Sequence, residues 1–305
     1  MAPDRDNAST EAADLLRGAC DFHVHCSPDV VPRAQDVFDL ARAAHDAGMA
    51  AVGLKDHTTS TVGRCFVLNR LYPNGPRFLS SLVLNPQVGG INPAAVEAAL
   101  ASGVEIVYFP TWSARHHIDC LGPDITPVPH PKGGFDPIRI VDEQGGLVPA
   151  ATAILDEIAG HDAILATGHI SPEESLALLR AAVDRGVRRM IVTHASESVP
   201  DMSIDDQKRC VDLGAWIEHS FLAVTPCCPG NIPLEDVVEQ IRAVGSDRCI
   251  LSSDFGQPAN GPPVDGFGEQ LKRLRNLDFT REEIRRMVAD NPRRILSSEP
   301  LSNAS

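Results

Sequence analysis

No stretch of about 18 consecutive apolar residues occurs in the 305-residue chain, so no transmembrane helix is expected. Residues 1–18 are polar and acidic and lack the apolar segment of a secretory signal. Basic residues are outnumbered, 27 Lys and Arg against 41 Asp and Glu, for a formal net charge of −14. That balance argues against nucleic acid or an anionic membrane as the main partner. It leaves an anionic small molecule open, because local charge can oppose net charge. The eight cysteines contain no CxxC pair and are scattered, which reads as buried or free thiols in a reducing compartment. The adjacent Cys227 and Cys228 read as loop chemistry or packing. The resulting expectation is a soluble, cytoplasmic protein. The composition is 43% hydrophobic, enough for one large core.

Short apolar runs bounded by polar residues, Gly or Pro alternate with helical stretches along the chain. Residues 1–18 form an N-terminal extension in this reading, with 1–8 disordered and a short helix capped by Ser9 or Thr10. Strands are expected at about 20–26, 50–55, 77–84, 105–109, 163–166, 189–192, 215–218 and 249–252, each followed by a helix. Residues 298–305 read as a flexible tail. Near-continuously apolar strands are those of a buried parallel sheet. Eight such units over 19–297 predict a single α/β domain, a (β/α)8 TIM-like barrel with its chemistry at the C-terminal strand ends. Residues 111–137, rich in Pro, Gly and His, are an expected active-site loop.

The polar residues fall where that architecture needs them. Asp21-Phe22-His23-Val24-His25 places two imidazoles on one face of the first strand, with Phe22 and Val24 on the other. Two imidazoles so placed are candidate metal ligands. Lys55, Asp56 and His57 follow the second strand, and His116 and His117 lie in the long loop. His169 follows the fifth strand and His194 the sixth; Glu218-His219 ends the seventh and Asp254 follows the eighth. These groups converge on one barrel mouth.

This ordered set, His-x-His, then His, His and Asp on later strands, resembles the amidohydrolase superfamily of metal-dependent hydrolases, and an uncharacterised branch of it. The likeness runs from Asp21 to about Leu296 and includes Ala166-Thr167-Gly168-His169 and Ser253-Asp254-Phe255-Gly256. It implies His23, His25, His169, His194 and Asp254 as the metal residues, with one or two ions of Zn²⁺, Mn²⁺ or Fe²⁺. One departure is plain. Binuclear members bridge their metals with a carboxylated Lys or a Glu at the end of strand four, where this chain has Pro110-Thr111. Lys55 or His57 could take that part. Lys55-Asp56-His57 also resembles the polymerase-and-histidinol-phosphatase family.

The expected chemistry is attack of metal-activated water on an amide, lactam or lactone of a small anionic substrate. Asp254 is the expected proton acceptor, with His57 next in line, and His194 or His219 the group at the developing oxyanion. Lys55, Arg115, His117 and His219 are the expected substrate contacts; Arg33, His116 and Lys132 complete a cationic rim, and Trp112 is a candidate wall. Alternatives are a metal-dependent decarboxylase of an aromatic acid, a phosphoesterase, and an inactive metal- or ligand-binding barrel. Barrels of this kind often pair, so a homo-oligomer fits the reading.

Overall fold

The protein is described by a computed structural model covering residues 5–122 and 134–297. In chain order the described elements are α1 (Arg5–Leu16), β1 (Cys20–Val24), α2 (Val37–Asp46), β2 (Ala51–Leu54), α3 (Val62–Leu71), β3 (Arg77–Leu79), β4 (Ser81–Val83) and α4 (Pro93–Ala101). Then come β5 (Ile106–Tyr108), α5 (Arg115–Leu121), α6 (Pro149–Gly160), β6 (Ile164–Ala166), α7 (Pro172–Asp184), β7 (Arg189–Val192), α8 (Ile204–Asp212) and β8 (Trp216–Ser220). The chain finishes with α9 (Leu234–Val244), β9 (Cys249–Ser252), α10 (Pro263–Arg275), α11 (Arg281–Arg285) and α12 (Asn291–Ser297).

All strand pairs are parallel, in the orders β1-β2-β3 and β4-β5-β6-β7-β8-β9. The two runs join where the expected third strand, 77–84, is broken at Ser80. There the backbone changes partners: Ser81 N donates to Thr61 Oγ1 at 2.7 Å, and Ser80 O accepts from Ile106 N at 3.0 Å. At the other seam Asp254 N donates to His23 O and His25 N to Phe255 O, both at 2.8 Å. The fold is therefore the expected TIM-like (β/α)8 barrel, its third strand in two pieces.

Two layers of core hold it. Inside the barrel Cys20, Phe22, Leu79, Tyr108, Ile164 and Trp216 belong to one buried cluster. A larger cluster fills the space between strands and helices, with Val24, Leu54, Val107, Leu165 and Ile217 from the strands. The split corrects one detail of β1. Phe22 joins the interior cluster, although it was expected opposite His23. The pairing of β1 with β2 slips between Asp21 and Val24, so alternation is interrupted there. His23 consequently also faces inward, its ring 5.6 Å from that of Tyr108.

The N-terminal helix begins at Arg5, earlier than expected. It docks through Leu15 and Leu16, and Leu16 and Ala12 lie where a Cβ on Gly268 of α10 would stand. Within the loop 111–137, Arg115–Leu121 is helical; Lys132 and His130 lie outside the described residues, as does the tail 298–305. No helix among the described residues is long and apolar enough to cross a membrane. All eight cysteines are free thiols.

Candidate metal centre

Three imidazoles surround one buried carboxylate at the C-terminal ends of β1, β7 and β9. Asp254 Oδ1 lies 3.2 Å from His23 Nε2 and 3.0 Å from His25 Nε2, and Asp254 Oδ2 lies 3.6 Å from His194 Nε2. All four residues are at most 5% exposed. Two of them hold backbone conformations that L-residues seldom adopt, His194 at φ 56° and Asp254 at φ 51°. Such strain clusters at functional sites, at a cost of about 1–3 kcal/mol each. The glycines beside the site are equally constrained. A Cβ on Gly256 would stand 2.3 Å from His25 O, and one on Gly168 2.3 Å from Phe109 O.

A second ring of carboxylates stands behind the imidazoles. Glu218 Oε1 is 3.4 Å from His23 Nδ1, and Glu197 Oε1 is 3.2 Å from His194 Nδ1. Ser252 Oγ donates to Glu218 Oε1 at 2.7 Å, and Ser220 Oγ donates to Glu197 Oε1. Glu218 so placed favours for His23 the tautomer with hydrogen on Nδ1 and the lone pair on Nε2, the form in which imidazole binds a metal. Burial pushes the pKa of His23 down to about 3, against the pull of Asp254. Burial also works against ionisation of Asp254, but His23, His194 and His25 outweigh it and hold the carboxyl well below its usual range. For Glu218, burial is outweighed by His23, which brings it to about 2.

The residues fit a divalent cation. His23, His25 and Asp254 form one set with ligand atoms within 4.8 Å of one another, and His194, Glu197 and Asp254 form another. Among the described residues His169 Nε2 and Lys55 Nζ, both buried, have no hydrogen-bond partner. Buried polar atoms left unpaired cost about 1–3 kcal/mol each, and an ion at the centre would satisfy His169 Nε2.

The other expected residues divide. His169 follows β6 near the centre, its ring 5.1 Å from that of His194. Its Nδ1 is 3.0 Å from His117 Nδ1, so the ring that Arg115–Leu121 was expected to supply does reach the site. His57 stacks between His25 (4.8 Å) and Trp112 (3.7 Å), and its Nδ1 meets Thr111 Oγ1 at 2.9 Å. That hydroxyl also accepts from Asn85 Nδ2. Lys55 is buried with Nζ 4.7 Å from the Tyr108 ring centre. Burial lowers its pKa against the pull of Asp254 and Glu218. Asp56 turns away, paired with Arg64 at 2.6 Å.

Two expected substrate contacts do not face the centre. His219 is on the outer face of β8, against Ser196 Oγ and, at 3.6 Å, Cys249 Sγ. Arg115 is exposed and paired with Asp119 one turn along α5, at 2.8 Å. His116 Nε2 meets Pro200 O at 3.2 Å. Conversely, Glu218 and Glu197 had no assigned role. Strand periodicity could have signalled Glu218, since it is Trp216's inward neighbour two residues on.

A cavity of about 430 Å³ opens over the centre, walled by Trp112, Val31, Leu222, Cys227 and Cys228, with His25, Arg33 and Asp254 at its inner end. That volume suits a small molecule.

Solved structures share this barrel fold. An amidohydrolase from Pseudomonas aeruginosa superposes with a TM-score of 0.64 at 13% identity, over 95% of this chain and 98% of that one. The probable dipeptidase PvdM from Pseudomonas aeruginosa gives 0.62 at 12%, over 97% and 99%. A 2,6-dihydroxybenzoate decarboxylase from Rhizobium gives 0.52 at 14%, over 92% and 99%. No curated protein matches the chain in sequence. Residues 18–218 match the family described as "Family of unknown function (DUF6282)", and the chain belongs to it.

Proposed function

We propose that the chain is a divalent-metal-dependent hydrolase acting on an amide, lactam or lactone of a small anionic molecule. The observation that carries this is the set of three imidazole Nε2 atoms, from His23, His25 and His194, around the buried Asp254 carboxylate. His23, His25, His169 and Asp254 would hold the ion, Zn²⁺ being the first candidate and Mn²⁺ or Fe²⁺ the others. A bound ion of this kind polarises a carbonyl and makes water acidic enough to attack near neutral pH.

The chain's own groups do the rest. Asp254, ionised and reached by three imidazoles, takes the proton of the attacking water and returns it to the leaving group. His194, steadied by Glu197, hydrogen-bonds the oxygen on which charge builds up. Burial lowers the pKa of His194, yet Glu197 and Asp254 more than reverse that and raise it above the usual value. The rings of His57 and Trp112 form a flat wall that orients the substrate and excludes water.

Thr111, engaged by His57 and Asn85, offers nothing to bridge two ions, which favours a single one. A single ion leaves decarboxylation of an aromatic acid as the second reading. The experiment is turnover of carboxylate-bearing lactones, lactams, amides and aromatic acids by zinc-reconstituted protein. Hydrolysis abolished by chelator and restored by zinc is expected. Turnover indifferent to chelation would contradict the proposal, and release of carbon dioxide would select the second reading. Protein loaded with zinc but inert across the panel would leave a binding barrel.

A further inference from the structure

The inner end of the cavity holds a contact that changes character when His25 binds through Nε2. Arg33 Nη2 lies 3.3 Å from His25 Nδ1. A guanidinium can only donate, so Nδ1 accepts and the ring hydrogen is on Nε2, which faces Asp254 Oδ1 at 3.0 Å. An imidazole that ligates through Nε2 carries its hydrogen on Nδ1 instead. His25 Nδ1 and Arg33 Nη2 are then two donors pointed at each other, and an anionic oxygen is what satisfies both.

Arg33 has little room to withdraw. Its Nε donates to Asp29 Oδ2 at 2.7 Å, and the two side chains are 4% and 1% exposed. Asp29 Oδ1 in turn accepts from Val31 N at 3.4 Å. Among the described residues the cavity wall otherwise carries the carboxylates Asp254 and Glu197, and Arg33 is the one permanently cationic residue on it. We propose that His25 Nδ1–H and Arg33 Nη2–H together form a carboxylate-binding site, created by metal loading, that places an anionic substrate beside the centre. Asp29 is a positioning residue for Arg33. This deepens the hydrolase reading and rests on it for the ligation of His25.

Linkage makes the coupling reciprocal: a carboxylate raises the affinity for the metal by the factor by which the metal raises that for the carboxylate. Benzoate is a suitable probe, titrated calorimetrically into metal-free and zinc-loaded protein, with zinc content measured on each sample. Benzoate should bind the zinc-loaded wild type about 10-fold or more tightly than the metal-free protein, within the usual range of coupling. Arg33→Gln should lose about 10-fold or more of the affinity of the loaded protein while keeping the zinc content and circular dichroism of the wild type. Arg33→Lys, which keeps the charge but not the planar fork, should recover only part of it. Equal benzoate affinity in loaded wild type and Arg33→Gln would overturn the proposal, because benzoate would then be held by the ion alone. Equal affinity in loaded and metal-free wild type would overturn the coupling. Failure of the wild type to take up zinc would overturn the reading of the centre itself, and shows in the zinc content rather than in the titration.

Discussion

Glu218 and His219 are neighbours on β8, yet they have opposite surroundings. Glu218 faces the barrel axis, hydrogen-bonded by Ser252 and backing His23. His219 faces the helices, between Ser196 and Cys249. Both are fully buried, so burial alone does not separate a site residue from a structural one. The strand's two-residue period does. The same contrast recurs on α5, where His117 turns inward to His169 while the exposed Arg115 side chain, two residues away, pairs with Asp119.

This comparison can be broken or sharpened by substitution. The largest effect is expected from Asp254→Asn, which keeps the shape of the side chain but removes its basicity. It should lower kcat by roughly 10²- to 10⁴-fold, read by steady-state kinetics at matched zinc content; a loss under about 10-fold would move proton transfer to another group such as His57. Glu218→Gln comes next. It should weaken zinc binding by roughly 10- to 100-fold through loss of the orienting carboxylate, measured by competition with a chelator. His219→Ala, on the other face of the same strand, should cost about 1–3 kcal/mol of stability in denaturant unfolding, with kcat/KM and zinc content preserved at permissive temperature. If His219→Ala instead abolished activity in a folded protein, the division of β8 into a site face and a structural face would fail. The smallest effect belongs to Arg115→Ala, which should leave kcat and KM within about a factor of two. A large rise in KM there would return Arg115 to the substrate rim.

Much of this was legible in the sequence because the strand ends carry the chemistry. Apolar runs at regular spacing announced the parallel barrel, and His23, His25, His169, His194 and Asp254 stood at the ends of four of those runs. Orientation was the harder part. The register slip in β1 let Phe22 and His23 both face inward, which strict alternation does not anticipate. Glu197 follows His194 by three residues in a turn segment, where no periodicity assigns a direction. Arg115 and His117 were grouped as one rim because the short helix that separates their directions was not foreseen. The break at Ser80 depends on Thr61 Oγ1, twenty residues away, a long-range bond invisible to local pattern.

The most direct test of the centre is zinc per chain, determined by elemental analysis after reconstitution and gel filtration of wild-type protein and His23→Ala. One equivalent in the wild type, falling below about a tenth in a folded His23→Ala, is the predicted result, since removing one ligand of a small set strips the ion. No zinc in the wild type, or full zinc in His23→Ala, would contradict it.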